Sequence, residues 1–274
     1  MTVFCVDIGN THTHFGRVSG AGVDELASMP SELLKSTNHP IVELLRCSVE
    51  ADGHIDGVAF CSVVPELTTA LRAQVSGLRS DLPLFQLTHE VDLGFPLTHP
   101  RPAQIGQDRL ANAVAAHALC GSPTIIVDSG TAVTSDVITP VGGFEGGIIA
   151  PGIGLMREAL HEKTAQLPRI EDDPDLRTAI GKSTVEAMQI GCTIGFRGMV
   201  ASLVSAQRKE LANRGLPEVS LVMTGGSAHL LAHLDPSGSG LVPDLTLRGL
   251  HQAFLLNAPK GNPTMSDMKK SESD

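Results

Sequence analysis

Three acids stand where side chains could do chemistry. Asp7 closes the apolar run Val3-Phe4-Cys5-Val6 and is followed by Ile8-Gly9-Asn10-Thr11. Asp128 closes the β-branched run Thr124-Ile125-Ile126-Val127 and is followed by Ser129-Gly130-Thr131-Ala132. Asp108 lies in Gly106-Gln107-Asp108-Arg109, just ahead of an apolar stripe of Leu110, Ala113, Val114 and Ala118. A carboxylate at the end of a buried strand, backed by a glycine turn, suits a metal–phosphate group. Gly9 and Gly130 let backbone N–H groups approach phosphate oxygens with no Cβ in the way. Asp7 and Asp128 can meet a magnesium ion, usually through water. An acid at the head of a helix is held by first-turn N–H groups and can serve as a base. Arg109 beside it offers a planar fork to a carboxylate. The ordinary alternatives are turn geometry for the two Asp/Gly pairs, capping for Asp108 and a structural ion pair for Arg109.

Two of these sites repeat one another. Val6-Asp7-Ile8-Gly9 lies over Val127-Asp128-Ser129-Gly130 with valine, acid and glycine in common. The repeat suggests two related lobes, each presenting an acidic hairpin, and two facing hairpins would clamp one polyphosphate. A third strand-end turn, Thr224-Gly225-Gly226-Ser227-Ala228, follows Val219-Ser220-Leu221-Val222-Met223. There a nucleoside can lie against bare backbone at Gly225 and Gly226.

The elements that must position these residues can be read in outline. Short strands are expected at 2–8, 12–18 and 22–28, with helical material at 31–35 and 41–49 broken by Pro40. A buried strand at 58–64 leads to a helix opened by Pro65, with Leu67, Leu71 and Val75 at helical spacing. Another strand covers 84–87, and a helix covers 110–119. Gly121-Ser122-Pro123 is a plausible boundary between lobes. Hairpin strands at 124–138, a strand at 147–150 and a helix from Gly152 to about 165 repeat the opening. One long helix is expected from Thr184 to Asn213, with Gly191, Gly195 and Gly198 marking close helix packing. The last helix is expected at 247–256. Asp172 to Asp175 reads as an exposed loop, and from Ala258 the chain is polar and expected to be disordered. The domains so drawn are 1–121, 122–257 and a tail, 258–274.

The chain has 274 residues and a net charge of −10, with no Lys/Arg-rich run. That balance argues against nucleic acid or an anionic membrane as partner. No apolar run looks long enough to span a bilayer, and no leader precedes the first strand, so a cytoplasmic location is expected. Cys5, Cys61, Cys120 and Cys192 lie in apolar or small-residue segments and are expected to be buried reduced thiols. Gly181-Lys182-Ser183-Thr184 is not a P-loop, because Leu176 stands where the first glycine belongs. His12 and His14 alternate along a strand with no third ligand at zinc spacing.

In this order the three turns resemble the actin, sugar kinase and heat-shock-70 type of ATP site. The resemblance narrows at Gly106-Gln107-Asp108-Arg109, at Asp128-Ser129-Gly130-Thr131-Ala132-x-Thr134-x-Asp136 and at Gly146-Gly147-x-Ile149-x-Pro151-Gly152. Ser62-Val63-Val64-Pro65, Thr164-Ala165-x-Leu167-Pro168 and Gly181-Lys182-x-Thr184-x-Glu186-Ala187 support it. On these motifs, from Asp7 to about Gly249, the chain resembles the type III pantothenate kinases, a family that includes proteins first named Bvg accessory factors.

The resemblance implies a two-lobed α/β fold, ribonuclease H-like and actin-like, with duplicated β-hairpin and parallel-strand sheets flanked by helices. It implies ATP-dependent phosphorylation of pantothenate to 4'-phosphopantothenate, the first step of coenzyme A biosynthesis. Asp108 is then the base. Gly106, Arg109 and Thr184 meet pantothenate. Gly9, Asn10, Thr11, Gly130, Thr131, Gly225 and Gly226 meet ATP, and Asp7 and Asp128 hold Mg²⁺ and phosphate. A monovalent cation (K⁺ or NH₄⁺) and a homodimer whose partner completes the pantothenate pocket are also implied. The loop His99-Pro100-Arg101-Pro102 departs from the family pattern of an aromatic and an Asn-Pro pair, and Ser227 stands where an Asp is common. A nucleotide-binding regulator without catalysis would have no need to keep Asp7, Asp108 and Asp128 together. A kinase of the same fold for another acceptor is the remaining alternative.

Overall fold

The computed structural model describes residues 1–36, 40–50, 55–171 and 178–258. Two sheets carry the fold. The first contains β1 (Val3–Ile8), β2 (His12–Ser19), β3 (Gly22–Pro30), β4 (Gly57–Ser62) and β5 (Leu84–Gln86), in the order β3-β2-β1-β4-β5. The second contains β6 (Thr124–Ser129), β7 (Ala132–Thr139), β8 (Gly143–Pro151) and β9 (Ser220–Thr224), in the order β8-β7-β6-β9. In each sheet an antiparallel three-strand meander is followed by a strand parallel to its first member. The meander–crossover plan is therefore duplicated, as the repeated hairpin motif led us to expect.

Six α-helices complete the described chain: α1 (Pro40–Glu50), α2 (Pro65–Leu78), α3 (Gln107–Cys120), α4 (Ile153–Glu162), α5 (Thr184–Asn213) and α6 (Leu245–Asn257). Strand alternation divides the apolar residues into three cores. Phe4, Val6 and Ile8 of β1 pack outward with Phe60, Leu71 and Leu45 under α1 and α2. Ile125 and Val127 of β6 pack outward with Phe196, Val200 and Val204 of α5. The inner faces of both sheets, Val3, Cys5, Ala59 and Cys61 on one and Ile126, Ile138 and Val222 on the other, enclose α3 and α6 in a shared core. The layer order is helices, sheet, α3 with α6, sheet, helices. A slip of one residue in β1 would carry Asp7 into the outer core and Phe4 out of it. Burying one such side chain is worth roughly 1.5–3 kcal/mol, so the register is firmly set.

The central pair is tightly apposed. A Cβ at Gly249 of α6 would overlap the Ala111 carbonyl of α3. Thus α6, the last described helix, packs on α3 and on the first sheet although it follows the second in the chain.

Several expectations are corrected. Helix α3 begins at Gln107 rather than 110, because Gly106 accepts the Leu110 N–H and places Asp108 within the first turn. Helix α4 stops at Glu162; the Thr164 hydroxyl caps Leu160 and accepts from Leu167, which turns the chain. Pro40, expected to part the helical turn Ser31–Lys35 from the next helix, is itself the first residue of α1. Cys120, the last residue of α3, is exposed, whereas Cys5, Cys61 and Cys192 are buried free thiols. Helix α5 is long and apolar enough to cross a bilayer by length and composition, yet Phe196, Val200 and Val204 lie in the protein core. Its glycines do not serve close packing among the described residues: a Cβ at Gly191 or Gly198 would meet nothing within 4 Å, and one at Gly195 only Met156 at 3.9 Å. The loop read at 172–175 and the tail beyond Ala258 lie outside the described residues.

The α3–α6 apposition makes a direct prediction. Gly249→Ala should lower unfolding free energy by about 1–3 kcal/mol, the usual range for an overpacked site. Urea unfolding measures it; a wild-type midpoint would show that the two helices can separate freely.

Candidate functional site

Period-two alternation explains why the two hairpin acids meet. Asp7 continues the inner row Val3, Cys5 of β1, and Asp128 continues the inner row Thr124, Ile126 of β6. Both therefore face the space at the N-terminal end of α3, where Asp108 stands. The ladders match as well. Asp7 lies beside His14 on β2 and Cys61 on β4, while Asp128 lies beside Thr134 on β7 and Thr224 on β9. The turns are closed by Gly9 N–H to His12 O and Gly130 N–H to Ala132 O, both 3.1 Å.

The result is a cleft of about 970 Å³. Asp7, Gly9, Asn10 and Thr11 line it from the first hairpin, and Asp128, Gly130 and Thr131 from the second. Asp108, Gly225 and Gly226 line it too. Gly225 has φ +92°, and a Cβ there would lie 2.5 Å from Asp128 Oδ1, so this turn approaches the second hairpin because it has no side chain. A 3₁₀ helix, Ala228–Leu234, follows it. Gly106 makes room in the same way, since a Cβ there would overlap Asp108 Oδ1. Gly106, Arg109 and Thr184 do not line the cleft.

Among the described residues, no Lys or Arg lines this cleft; His12, His14 and His229 are the only basic side chains that do. His14 is held below the usual imidazole range by burial and by His12. The acids accordingly feel each other. Burial pushes Asp7 up to about 7 and nearby Asp108 adds to it; the Cys61 thiol, donating to Asp7 Oδ1 at 3.2 Å, opposes them. Asp128 is pushed up to about 6 by burial, against a 2.8 Å hydrogen bond from Asn112 and with further repulsion from Asp108 and Asp136. Burial also lifts the Cys61 thiol well above its ordinary value, which keeps it a donor.

Arg109 has a partner that the sequence reading did not assign. Its Nε and Nη2 grip the buried Asp136 carboxylate, with Nε at 3.1 and 3.0 Å from the two oxygens, and its guanidinium sits 5.9 Å from the Phe144 ring centroid. Gln107 was likewise unassigned; it accepts the Ser62 N–H at 3.0 Å and ties the start of α3 to β4. Thr184 is the first residue of α5 and exposed, behind the cap in which Ser183 accepts the Glu186 N–H. Asn112 had one available signal, a polar residue amid the apolar stripe four positions after Asp108.

No three His, Cys, Asp or Glu side chains converge as a metal cage among the described residues. Two carboxylates facing an open cleft nevertheless fit magnesium, which takes one or two carboxylates and fills its octahedron with water and phosphate oxygens.

A duplicated meander around a central helix pair, with an acidic hairpin from each sheet and a glycine turn between, defines the actin-like and sugar-kinase-like class of nucleotide fold. A solved structure of a candidate 2-dehydro-3-deoxygalactonokinase from Sinorhizobium meliloti shares this fold. The TM-score is 0.58 at 14% identity, covering 94% of this chain and 99% of that one. The profile of the type III pantothenate kinase family matches residues 3–206. A type III pantothenate kinase from Akkermansia muciniphila is 39% identical over 257 residues, 94% of this chain and all of that protein. One from Streptomyces griseus is 37% identical over 269 residues, 93% of this chain and 98% of that protein. The chain belongs to the type III pantothenate kinase family.

The raised acids make stability depend on pH. Asp7 binds its proton more tightly folded than unfolded, so its contribution is fully present below about pH 4 and is lost as pH rises through about 7. Asp7→Asn should therefore stabilise the metal-free protein at pH 8 by about 2–4 kcal/mol, with the gain vanishing towards pH 4. Urea titrations at the two pH values test this; a variant no more stable than wild type at pH 8 would contradict the burial argument.

Proposed function

We propose that this chain transfers the γ-phosphoryl group of ATP to the hydroxyl of pantothenate, forming 4'-phosphopantothenate. Membership of the family supports the reading, and one observation carries it: three carboxylates and three glycine turns line a single cleft. The lobes are taken as 1–121 and 122–257, and a cytoplasmic location is in keeping with five free cysteines.

Each residue then has a role. The backbone at Gly9 and Gly130, with Asn10, Thr11 and Thr131, holds the phosphates, and Gly225 and Gly226 make room for the nucleoside. Asp7 and Asp128 hold Mg²⁺, which when bound offsets phosphate charge. A lining with no Lys or Arg among the described residues suits a second positive charge, assigned to K⁺ or NH₄⁺. Asp108 accepts the hydroxyl proton and aims the oxygen at the γ-phosphate. Gly106 keeps the Asp108 carboxylate unobstructed. The Asp136 ion pair uses Nε and Nη2 of Arg109, so the Nη1 edge is assigned to the pantothenate carboxylate.

We assign the homodimer interface to α5. Gly191, Gly195 and Gly198 form an exposed stripe beside Ile194, which is 50% exposed, and nothing among the described residues requires those glycines. A second copy laid along this stripe accounts for them. Thr184, outside the chain's own cleft, is then a residue the partner would contribute.

Turnover of ATP with pantothenate, beside a panel of sugars and short acids, tests the activity. Transfer to another acceptor, or nucleotide binding with no turnover, would overturn the assignment. For the base, Asp108→Asn should lower kcat by about 10²–10⁴-fold while ATP still binds; a loss within threefold would remove Asp108 from the role. For the dimer, Gly191→Leu and Gly198→Leu should each yield monomer by light scattering without lowering thermal stability, since leucine favours helix over glycine. Persistent dimer in both variants would move the interface elsewhere.

A further inference from the structure

The second hairpin acid is held from outside its own sheet. Asn112 is 1% exposed and lies on the face of α3 that meets both β6 and α6. Its Nδ2 donates to Asp128 Oδ2 at 2.8 Å, and its Oδ1 accepts from the Thr246 hydroxyl of α6 at 2.8 Å. The sense of this carboxamide follows from its partners. A carboxylate only accepts, so Nδ2 must face Asp128, and Thr246 supplies the donor that Oδ1 then needs. The contact rests on the α3–α6 apposition, because Asn112 follows Ala111 and Thr246 precedes Gly249 by one helical turn. Asp128 Oδ1 is left near Gly225 and Gly130, both of which line the cleft.

We propose that Asn112 and Thr246 are a positioning pair for Asp128: they fix Oδ2 so that Oδ1 points into the cleft as the oxygen that meets the cation. The proposal rests on the reading that Asp128 serves a cation–phosphate group. Asn112 offers the hydrogen bond that favours the oriented, charged carboxylate against its burial and against Asp108 and Asp136. Thr246 acts one step further back. Without its hydroxyl Oδ1 loses its donor, and the carboxamide is free to swing off the line on which Nδ2 meets Asp128 Oδ2. Thr246 itself lines the cleft, so α6, packed on the first sheet, sets the geometry of an acid from the second.

The test is Mn²⁺ binding to the full chain in the presence of ADP, followed by the paramagnetic resonance of free Mn²⁺, with kcat and KM measured alongside. Removing a group that orients a metal ligand typically weakens metal binding about 10–100-fold. Asn112→Leu should fall in that range while ADP affinity in chelator stays at the wild-type value. Thr246→Val should shift Mn²⁺ affinity in the same direction by less, and Thr246→Ser, which keeps the hydroxyl, should restore it. If Asn112→Leu does not fold, the Thr246 pair decides the matter. Asp128→Ala is the control. Unchanged Mn²⁺ binding in that variant would overturn the cation reading itself. Loss in Asp128→Ala with wild-type binding in Asn112→Leu and Thr246→Val would overturn the positioning pair alone.

Discussion

The burial of carboxylates that also repel one another is the constraint around which this molecule is built. Asp7, Asp108 and Asp128 line one cleft, whose lining holds no lysine or arginine among the described residues. Two like unit charges about 5 Å apart repel by roughly 3 kcal/mol at an effective dielectric of 20, so carboxylates that share a cleft resist one another and would also repel bare ATP. The surroundings restrain this without abolishing it. A thiol donates to Asp7, a carboxamide donates to Asp128, and Arg109 neutralises Asp136. That arginine therefore spares the cleft a further unbalanced acid. An arrangement so unfavourable to the free protein is understandable when a cation completes it, the usual trade of stability against function.

The duplicated fold is what makes such crowding possible. Each sheet delivers its acid at the end of its first strand, on the inner face, through the same antiparallel and parallel neighbours. Helices α3 and α6 fill the space between the sheets and hold the two faces in register. Asp108 belongs to neither sheet and approaches along the axis of α3. The geometry of the cleft thus depends on the central helices, while the glycine turns supply the bare backbone.

What could be read from the chain was local. The hairpin pair at Asp7 and Asp128 was legible because valine, acid, glycine and a preceding apolar run all lie within a few residues. The span of α5 and the opening of α2 at Pro65 followed from periodicity and a cap. What escaped depended on partners far away in sequence. Arg109 finds Asp136 27 residues on, and Asn112 finds Thr246 134 residues on; no local pattern reports either. Cys120 was misread because its apolar neighbours described the helix, not the end of the helix where it emerges. The glycines of α5 read as marks of close helix packing, but among the described residues nothing packs closely on them.

The central claim is that the two hairpin acids act on one cation–phosphate assembly. It is tested most directly by a double-mutant cycle of Asp7→Asn and Asp128→Asn, with kcat/KM measured across magnesium concentrations. Residues that act on one ion behave as a unit, so the double variant should lose much less than the sum of the two single losses, and each single variant should need more magnesium. Strictly additive losses, with an unchanged magnesium requirement, would contradict it.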